Sequence, residues 1–458
     1  FFYLAVTKHT IYTTMKNILI LGAGLSASTL IKYLLERSEK YDWHVVVGDK
    51  SKELAELKIE SNKNAEAIFF DVFDEQQKKK EIAKADVVVS MLPASFHHIV
   101  AEECIKQKKH MVTASYVSEE VKNMDAAAKE AGIAFLNELG VDPGIDHMSA
   151  MKVVDEIRNR KGKLLSFLSS TGGLIAPEYD NNPWNYKFTW NPRNVVVAGQ
   201  GVAQYLKNGR FKYVPYNRLF SNIRKTSVLN VGEFEVYPNR DSLKYRKIYG
   251  LEDIPTIFRG TMRRPGYAEA WNVFVQLGMT DDTFNVVGSE EMSYRQFTNT
   301  FLPYSERKNV EEKLCKVMNI SFDSDVMKKL KWLGIFDDTP IALKDVSPAK
   351  ILQKILEDKW ALQKGDKDMI VMQHEFEFMI ADQCKKITSS MVVVGDEAPH
   401  TAMSITVGTP VAIATKLLLT GELDITGVHV PTSKVLYQPI LNELKEVGID
   451  FTEVEEDL

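Results

Sequence analysis

Cysteine is scarce in this chain. Its 458 residues hold three, Cys104, Cys315 and Cys384, far apart and odd in number. That spacing excludes a disulfide framework and offers no zinc site, so a reducing, cytoplasmic setting is expected. An excess of one charge is also lacking: 57 Lys and Arg face 62 Asp and Glu, a net charge of −5. Nucleic acid is therefore not expected as the main partner. The run Lys78-Lys79-Lys80 sits among acids and reads as a solvated helix face. No stretch of about 18 consecutive apolar residues occurs, so no membrane span is expected. Gly-x-Ser-x-Gly elbows and Walker A loops are absent too. The nine histidines show no metal-ligand spacing, and the adjacent His97 and His98 cannot readily share one metal.

What remains is the make-up of a soluble globular protein, 45% hydrophobic and 26% charged, long enough for two or three domains. Residues Phe1 to Thr14 are aromatic-rich and lack the cleavage site of a signal peptide; they read as a disordered extension upstream of Met15.

The most telling stretch is Met15-Lys-Asn-Ile-Leu-Ile-Leu-Gly22-Ala-Gly24-Leu25-Ser26-Ala27. An apolar run stops at a glycine turn, and a helical pattern follows at once. Gly22 suits a tight turn, Gly24 lets a pyrophosphate approach the backbone, and Ala27 is small enough for close packing. The helix N-terminus then offers N–H groups to an anion. A second strand, Trp43 to Gly48, ends in Asp49, an acid placed to bind both hydroxyls of an adenine ribose. Asp49 would repel a 2′-phosphate, which favours NAD over NADP; Lys50, next along, would accept one and keeps NADP open.

Residues 16 to about 138 alternate strand and helix, the rhythm of a doubly wound parallel sheet. After Gly140 the pattern changes. Residues 164–171 and 228–237 look like strands of a second sheet, 266–360 read as mostly helical, and strands return at 368–379 and 387–394. Ala402 to Leu419 is a long apolar-faced helix with Gly421 as its stop.

Four further clusters hold chemistry. Thr113-Ala-Ser115-Tyr116 follows the fifth strand, where hydroxyls face a cofactor or cap the next helix. Gly140-Val-Asp142-Pro143-Gly144-Ile-Asp146-His147 sets two acids and a histidine on a rigid backbone; the alternative is a domain-joining turn with Asp146 as helix cap. Tyr237-Pro-Asn-Arg240-Asp241 and Phe258-Arg259-Gly-Thr261-Met-Arg263-Arg264 carry arginine forks, which bind carboxylates in pairs of hydrogen bonds or make surface ion pairs.

Together these clusters resemble the glutamate-forming saccharopine dehydrogenase family, over essentially the whole chain from Met15. The motifs are Val141-Asp-Pro-Gly-Ile-Asp-His147, Gly172-Gly-Leu-Ile-Ala-Pro-Glu178, Asn182-Pro-Trp-Asn-Tyr-Lys-Phe-Thr-Trp190, Tyr237-Pro-Asn-Arg-Asp-Ser242, Arg259-Gly-Thr-Met-Arg263, Lys367-Asp-Met-Ile-Val-Met372 and Thr406-Val-Gly-Thr-Pro410. The resemblance implies an α/β protein: a variant Rossmann doubly wound sheet, an α/β substrate domain that also pairs subunits as a homodimer, and a helical insertion. The boundaries implied are 15–140 with 395–458 for the nucleotide domain, 141–265 with 365–394 for the substrate domain, and 266–364 for the helical domain.

It further implies an NAD(P)-dependent oxidoreductase acting on a CH–NH bond, which interconverts saccharopine with glutamate and 2-aminoadipate 6-semialdehyde in lysine metabolism. The nucleotide is expected along Gly22, Gly24, Leu25, Ser26, Ala27, Asp49, Lys50, Asp71 and Val72. Saccharopine is expected at Ser115, Tyr116, Asp142, Arg240, Thr261 and Arg263, with Asp142 and Tyr116 in catalytic roles and Asp142, His97 or water as the base. Many members carry cysteine where this chain has Thr171, so an essential thiol is not expected there. The rivals are a carboxynorspermidine-type or other imine-reducing dehydrogenase, and a non-catalytic NAD-binding sensor.

Overall fold

The computed structural model describes residues 15–198 and 200–458; the extension expected at residues 1–14 lies outside them. The strands, in chain order, begin with β1 (Lys16–Leu21), β2 (Trp43–Asp49), β3 (Ala65–Phe69), β4 (Val87–Ser90), β5 (His110–Val112) and β6 (Ala134–Leu136). There follow β7 (Lys163–Ile175), β8 (Val202–Lys207), β9 (Arg210–Pro215), β10 (Arg224–Ser227), β11 (Glu233–Pro238) and β12 (Thr256–Arg263). The last are β13 (Asp368–Ile380), β14 (Gln383–Val394), β15 (Gly427–His429) and β16 (Thr452–Asp457). The chain divides into two compact units: residues up to Ile145 with Val407–Leu436, and Asp146–Thr406 with Tyr437–Leu458.

The first unit is a seven-stranded parallel sheet in the order β15-β6-β5-β4-β1-β2-β3. Six strands follow the 3-2-1-4-5-6 order of dinucleotide-binding folds, and β15 extends the edge. The central strands carry unbroken apolar runs because helices cover both faces. Ile18, Leu19, Ile20 and Leu21 are all buried, as are Val87, Val88 and Val89.

The second unit is a mixed nine-stranded sheet, with the path β10-β11-β12-β7-β13-β14-β16 and the β8–β9 hairpin attached to β12. Its core is aromatic. Trp184, Tyr186, Tyr267, Trp271 and Trp360 are at most 2% exposed, and Trp184 and Trp360 meet edge to face with centroids 5.2 Å apart. The Trp184 indole N–H donates to the Lys329 carbonyl at 2.9 Å, so its polar end is satisfied inside that core.

Several expectations change here. The segment 395–458 does not all join the nucleotide unit. Asp368, fully buried, accepts the amide N–H groups of Ala402 and Met403, which ties the start of the helix Ala402–Leu419 to the second unit. At the other end β16 pairs antiparallel with β14. The helices expected between 266 and 360 form, and their apolar faces share the aromatic core of the second unit. The apolar helix Ala402–Leu419 is, by length and composition, able to cross a membrane, although no unbroken apolar run marks it; 72% of it is buried within the protein, as in a core helix.

The strand β16 is held by charge. Glu455 pairs with both terminal nitrogens of Arg160, one at 2.8 Å, and with Lys385 at 3.3 Å. Hydrogen bonding from Arg160, with further help from Lys385, pulls the Glu455 carboxyl from 4.5 to about 2. A depressed carboxyl pKa stabilises the fold above its unfolded value and stops doing so as pH falls through the folded one. Amide-exchange protection of Thr452–Asp457 is therefore expected to fall between pH 4.5 and about 2. In Glu455→Gln that pH dependence should vanish; a wild-type profile flat to pH 2 would show that the ion pair does not hold the strand.

Candidate nucleotide and substrate sites

In the first unit β1 feeds directly into the glycine turn. Gly22 has φ +103°, and a Cβ there would lie 2.8 Å from the Met91 carbonyl oxygen, so only glycine fits. Gly24 differs: a Cβ there would meet nothing within 4 Å. Its backbone faces open space, as a loop that cradles a pyrophosphate requires. The helix Ala27–Tyr41 follows, and Ser26 at its N-cap makes no side-chain cap, so it spends no oxygen on the first turn. Ala27 is buried, and Gly408 packs so closely here that a Cβ would lie 3.0 Å from the Ser26 carbonyl oxygen. That close approach explains the glycine inside Thr406-Val-Gly408. Leu25 is exposed.

Asp49 sits at the end of β2 as expected, with one oxygen accepting from the Ala23 amide at 2.7 Å and the other from Ser51 at 2.9 Å. The carboxylate thus braces the glycine loop, and each oxygen keeps a further lone pair. Lys50 reaches Asp71 at 3.6 Å. Asp71 also accepts from the Phe73 amide. Val72 is buried in the core, so only its main chain is available to a ligand.

After β5 the chain presents Ser115 and Tyr116. Ser115 Oγ lies 2.8 Å from His97 Nε2, and Ser90 Oγ lies 2.8 Å from His97 Nδ1. Ser118, not Ser115, caps the next helix. Tyr116 and Asp142 come together, with the phenol oxygen 3.4 Å from an Asp142 carboxylate oxygen.

In the second unit the register of β12 sets Arg259, Thr261 and Arg263 on one face, alternating along the strand. Arg259 is not a free fork. It is buried and donates to Asp146 at 2.7 Å. Nor does the Asp146-His147 pair form a reactive cluster: His147 is fully buried with Nδ1 2.6 Å from the Tyr249 hydroxyl. These residues pack the helix Ile145–Asn159.

Arg263 has no such partner. It is 4% exposed, and no carboxylate pairs with it among the described residues. One terminal nitrogen donates to the Met262 carbonyl at 2.8 Å, and Nε has no hydrogen-bond partner. Tyr186, Tyr267 and Tyr237 surround it at 4.9, 5.4 and 6.0 Å. Burial pushes the Tyr186 and Tyr267 phenols up, so both remain neutral donors at physiological pH. Thr171 Oγ1 and Thr189 Oγ1 are also buried with no hydrogen-bond partner among the described residues. Thr171 is paired with Thr261 across β7 and β12, on the Arg263 face. A buried cation with hydroxyls on the same face suits an anionic group.

Arg240 stands in a loop with φ +44° and is exposed; its carbonyl accepts from the Gln204 amide at 2.8 Å. A separate open cleft of about 650 Å³ is lined by Glu178, Asp180 and Arg264. Its cation is already engaged, because Arg264 donates to the Val231 carbonyl at 2.6 Å. The tyrosine ring around Arg263 was not foreseen. Its members are far apart in sequence, and the only hint was that Tyr186 and Tyr237 stand within conspicuous motifs.

The parallel sheet, glycine turn and terminal acid define a dinucleotide-binding α/β protein. Residues 18–136 match the saccharopine dehydrogenase NADP binding domain, and 140–449 match the saccharopine dehydrogenase C-terminal domain. The chain belongs to the saccharopine dehydrogenase family. It is 34% identical to "Saccharopine dehydrogenase (NADP(+), L-glutamate-forming)" of Pyricularia oryzae, covering 96% of this chain and 98% of that one. The Saccharomyces cerevisiae protein of the same name is 33% identical, over 94% and 97%. A solved apo saccharopine dehydrogenase (L-Glu forming) from that yeast superposes with TM-score 0.88 at 33% identity, covering 96% of this chain and all (100%) of the other. These fungal proteins are named for NADP(+), so they lend no support to the expectation of NAD.

The two glycines separate fold from ligand. Gly22→Ala is expected to destabilise the first unit by more than about 1 kcal/mol, from a left-handed backbone and a direct clash. Gly24→Ala should leave the melting temperature unchanged yet weaken NAD(P)H binding, read by nucleotide fluorescence. Unchanged binding in Gly24→Ala would remove the loop from the nucleotide site.

Proposed function

We propose that this protein oxidises the secondary amine of saccharopine with a nicotinamide nucleotide, releasing glutamate and 2-aminoadipate 6-semialdehyde. The observation that carries this reading is the buried guanidinium of Arg263, with which no carboxylate among the described residues pairs. Saccharopine has three carboxylates and one secondary amine, which matches a site built from cations and hydroxyls. The names of the fungal relatives support the same substrate.

Arg263, with the hydroxyls of Tyr186, Thr171 and Thr261, holds one carboxylate; Arg240 holds another from its exposed loop. Ser115 and Tyr116 orient the substrate by hydrogen bonds. The bound nicotinamide supplies the hydride acceptor. Loss of hydride from carbon and of the proton from nitrogen leaves a C=N bond. Asp142, next to the Tyr116 hydroxyl, takes a proton from the water that adds to that carbon. The same carboxyl passes that proton to nitrogen, giving a carbinolamine. It then takes the carbinolamine hydroxyl proton and delivers it to nitrogen as the C–N bond breaks and C=O forms, so aldehyde and glutamate form in equal amounts. Positioning and electrostatics account for most of the rate, and proton transfer for about 10²–10⁴-fold.

NAD is proposed as the preferred nucleotide, because the carboxylate of Asp49 at the end of β2 disfavours a 2′-phosphate. A homodimer in the cytoplasm is proposed from the frequency of symmetric dimers and from the few, unpaired cysteines.

Purified protein with saccharopine and NAD should form NADH and glutamate in a 1:1 ratio. No reduced nucleotide with either NAD or NADP, from neutral to alkaline pH, would refute the activity and leave the sensor reading. Asp49→Arg should raise the NADP/NAD ratio of kcat/KM at least tenfold. An unmoved ratio would mean that Asp49 only braces the loop through Ala23 and Ser51.

A further inference from the structure

His97 is one of the most constrained polar groups of the first unit. It opens the helix His97–Gln107 and is 3% exposed. Both ring nitrogens are engaged, Nδ1 by Ser90 Oγ and Nε2 by Ser115 Oγ, each at 2.8 Å; Thr113 Oγ1 lies 3.4 Å from Nε2. All its hydrogen-bond partners among the described residues are hydroxyls; none is a carboxylate. A histidine that works as a base commonly has an acid behind it, to orient the ring and stabilise the cation. Here the far side of the ring is closed by a fully buried serine. Burial first, then the neighbouring charge of His98, lowers its pKa from 6.5 to about 4. A neutral ring with one N–H and one lone pair suits a bridge between two hydroxyls.

Ser115 is otherwise fixed. Its amide donates to Thr113 Oγ1 at 3.3 Å, and its carbonyl accepts from the Glu138 amide at 3.0 Å. The main chain is held on both sides, and the remaining freedom is rotation of the hydroxyl. We propose that His97 is the positioning residue for the Ser115 hydroxyl, and not the general base of the reaction. In one tautomer Nε2–H donates to Ser115, whose own proton then points at a substrate oxygen. In the other, Nε2 takes the Ser115 proton and leaves lone pairs for a substrate N–H. Ser90 reverses its role to match, so the ring sets whether Ser115 donates or accepts. This rests on the reading of Ser115 as a substrate ligand.

The test is a double-variant cycle on the full chain, with kcat/KM for saccharopine as readout. Ser115→Ala and His97→Ala should each lose about tenfold, the worth of one hydrogen bond. The double variant should fall no further than Ser115→Ala alone. A double variant more than fivefold below Ser115→Ala would overturn the proposal, as would His97→Ala within twofold of wild type. If His97→Ala does not fold, the amides decide. Gln sets its polar end near the Nε2 position and should retain more activity than Asn, which reaches only toward Ser90; the reverse order overturns the proposal. The acid limb of the pH profile should survive in His97→Gln, and its loss would make His97 the base. Nitrogen chemical shifts of the ring give a readout that needs no turnover. A ring neutral from pH 5 to 9 supports the proposal, and one titrating near its ordinary value overturns it. Absence of saccharopine turnover would refute the reaction, while that titration still judges His97.

Discussion

A guanidinium buried with no counter-ion among the described residues is the constraint around which the core of the second unit packs. Taking an ion out of water costs several kcal/mol unless hydrogen bonds and an opposite charge replace the lost hydration. Arg259 and Arg263 stand on the same face of β12 and are about equally buried, 5% and 4%. Arg259 is neutralised by Asp146. Arg263 meets three tyrosine rings, the Tyr267 hydroxyl and one carbonyl instead. The aromatic rings offer the cation a partial, diffuse compensation. What they leave unmet, among the described residues, is a full negative charge, which the proposed substrate carboxylate would bring. One strand therefore carries an arginine paired with a carboxylate and, two turns of the pleat away, one proposed to meet the substrate.

The nucleotide unit follows a different logic, because its recognition is mostly main-chain. Gly22 answers to the fold, whereas Gly24, two positions on, meets no packing constraint and is proposed to serve the ligand. Asp49 braces the loop through its bonds from the Ala23 and Ser51 amides and is proposed to read the ribose as well. The hydroxyls that follow β5 are held by a buried imidazole, so their positions are set before any ligand arrives. Preorganisation of this kind costs nothing at the moment of reaction.

The sequence made the first unit legible because its code is local. An apolar run, a glycine turn and an acid closing the next strand lie within a few dozen residues, and each is a backbone requirement. β2 ends one residue past the strand expected at Trp43 to Gly48, and six strands alternate with helices between residues 16 and 138. The second unit was harder. β8, β9, β10 and β12 are short or polar, and their identity as strands depends on partners far along the chain. The Asp142–His147 segment shows the limit most clearly. Asp142 and Tyr116 do come together, whereas Asp146 and His147 are consumed by Arg259 and Tyr249. The residue types were the same on both sides of that divide, and only the tertiary partners tell them apart. The tyrosine ring of Arg263 was illegible for the same reason, since Tyr186, Tyr237 and Tyr267 come from three separate elements.

The central claim is that Arg263 awaits a substrate carboxylate. The most direct measurement is a cycle that pairs Arg263→Met, which keeps the bulk of the stem, with saccharopine analogues in which each carboxylate in turn is an amide. Charge-assisted hydrogen bonds contribute about 1.5–3 kcal/mol, so either change alone should raise KM about 10–100-fold. For one analogue the two changes together should cost little more than either alone. Fully additive losses for all three analogues would contradict the account, because no carboxylate would then be meeting Arg263.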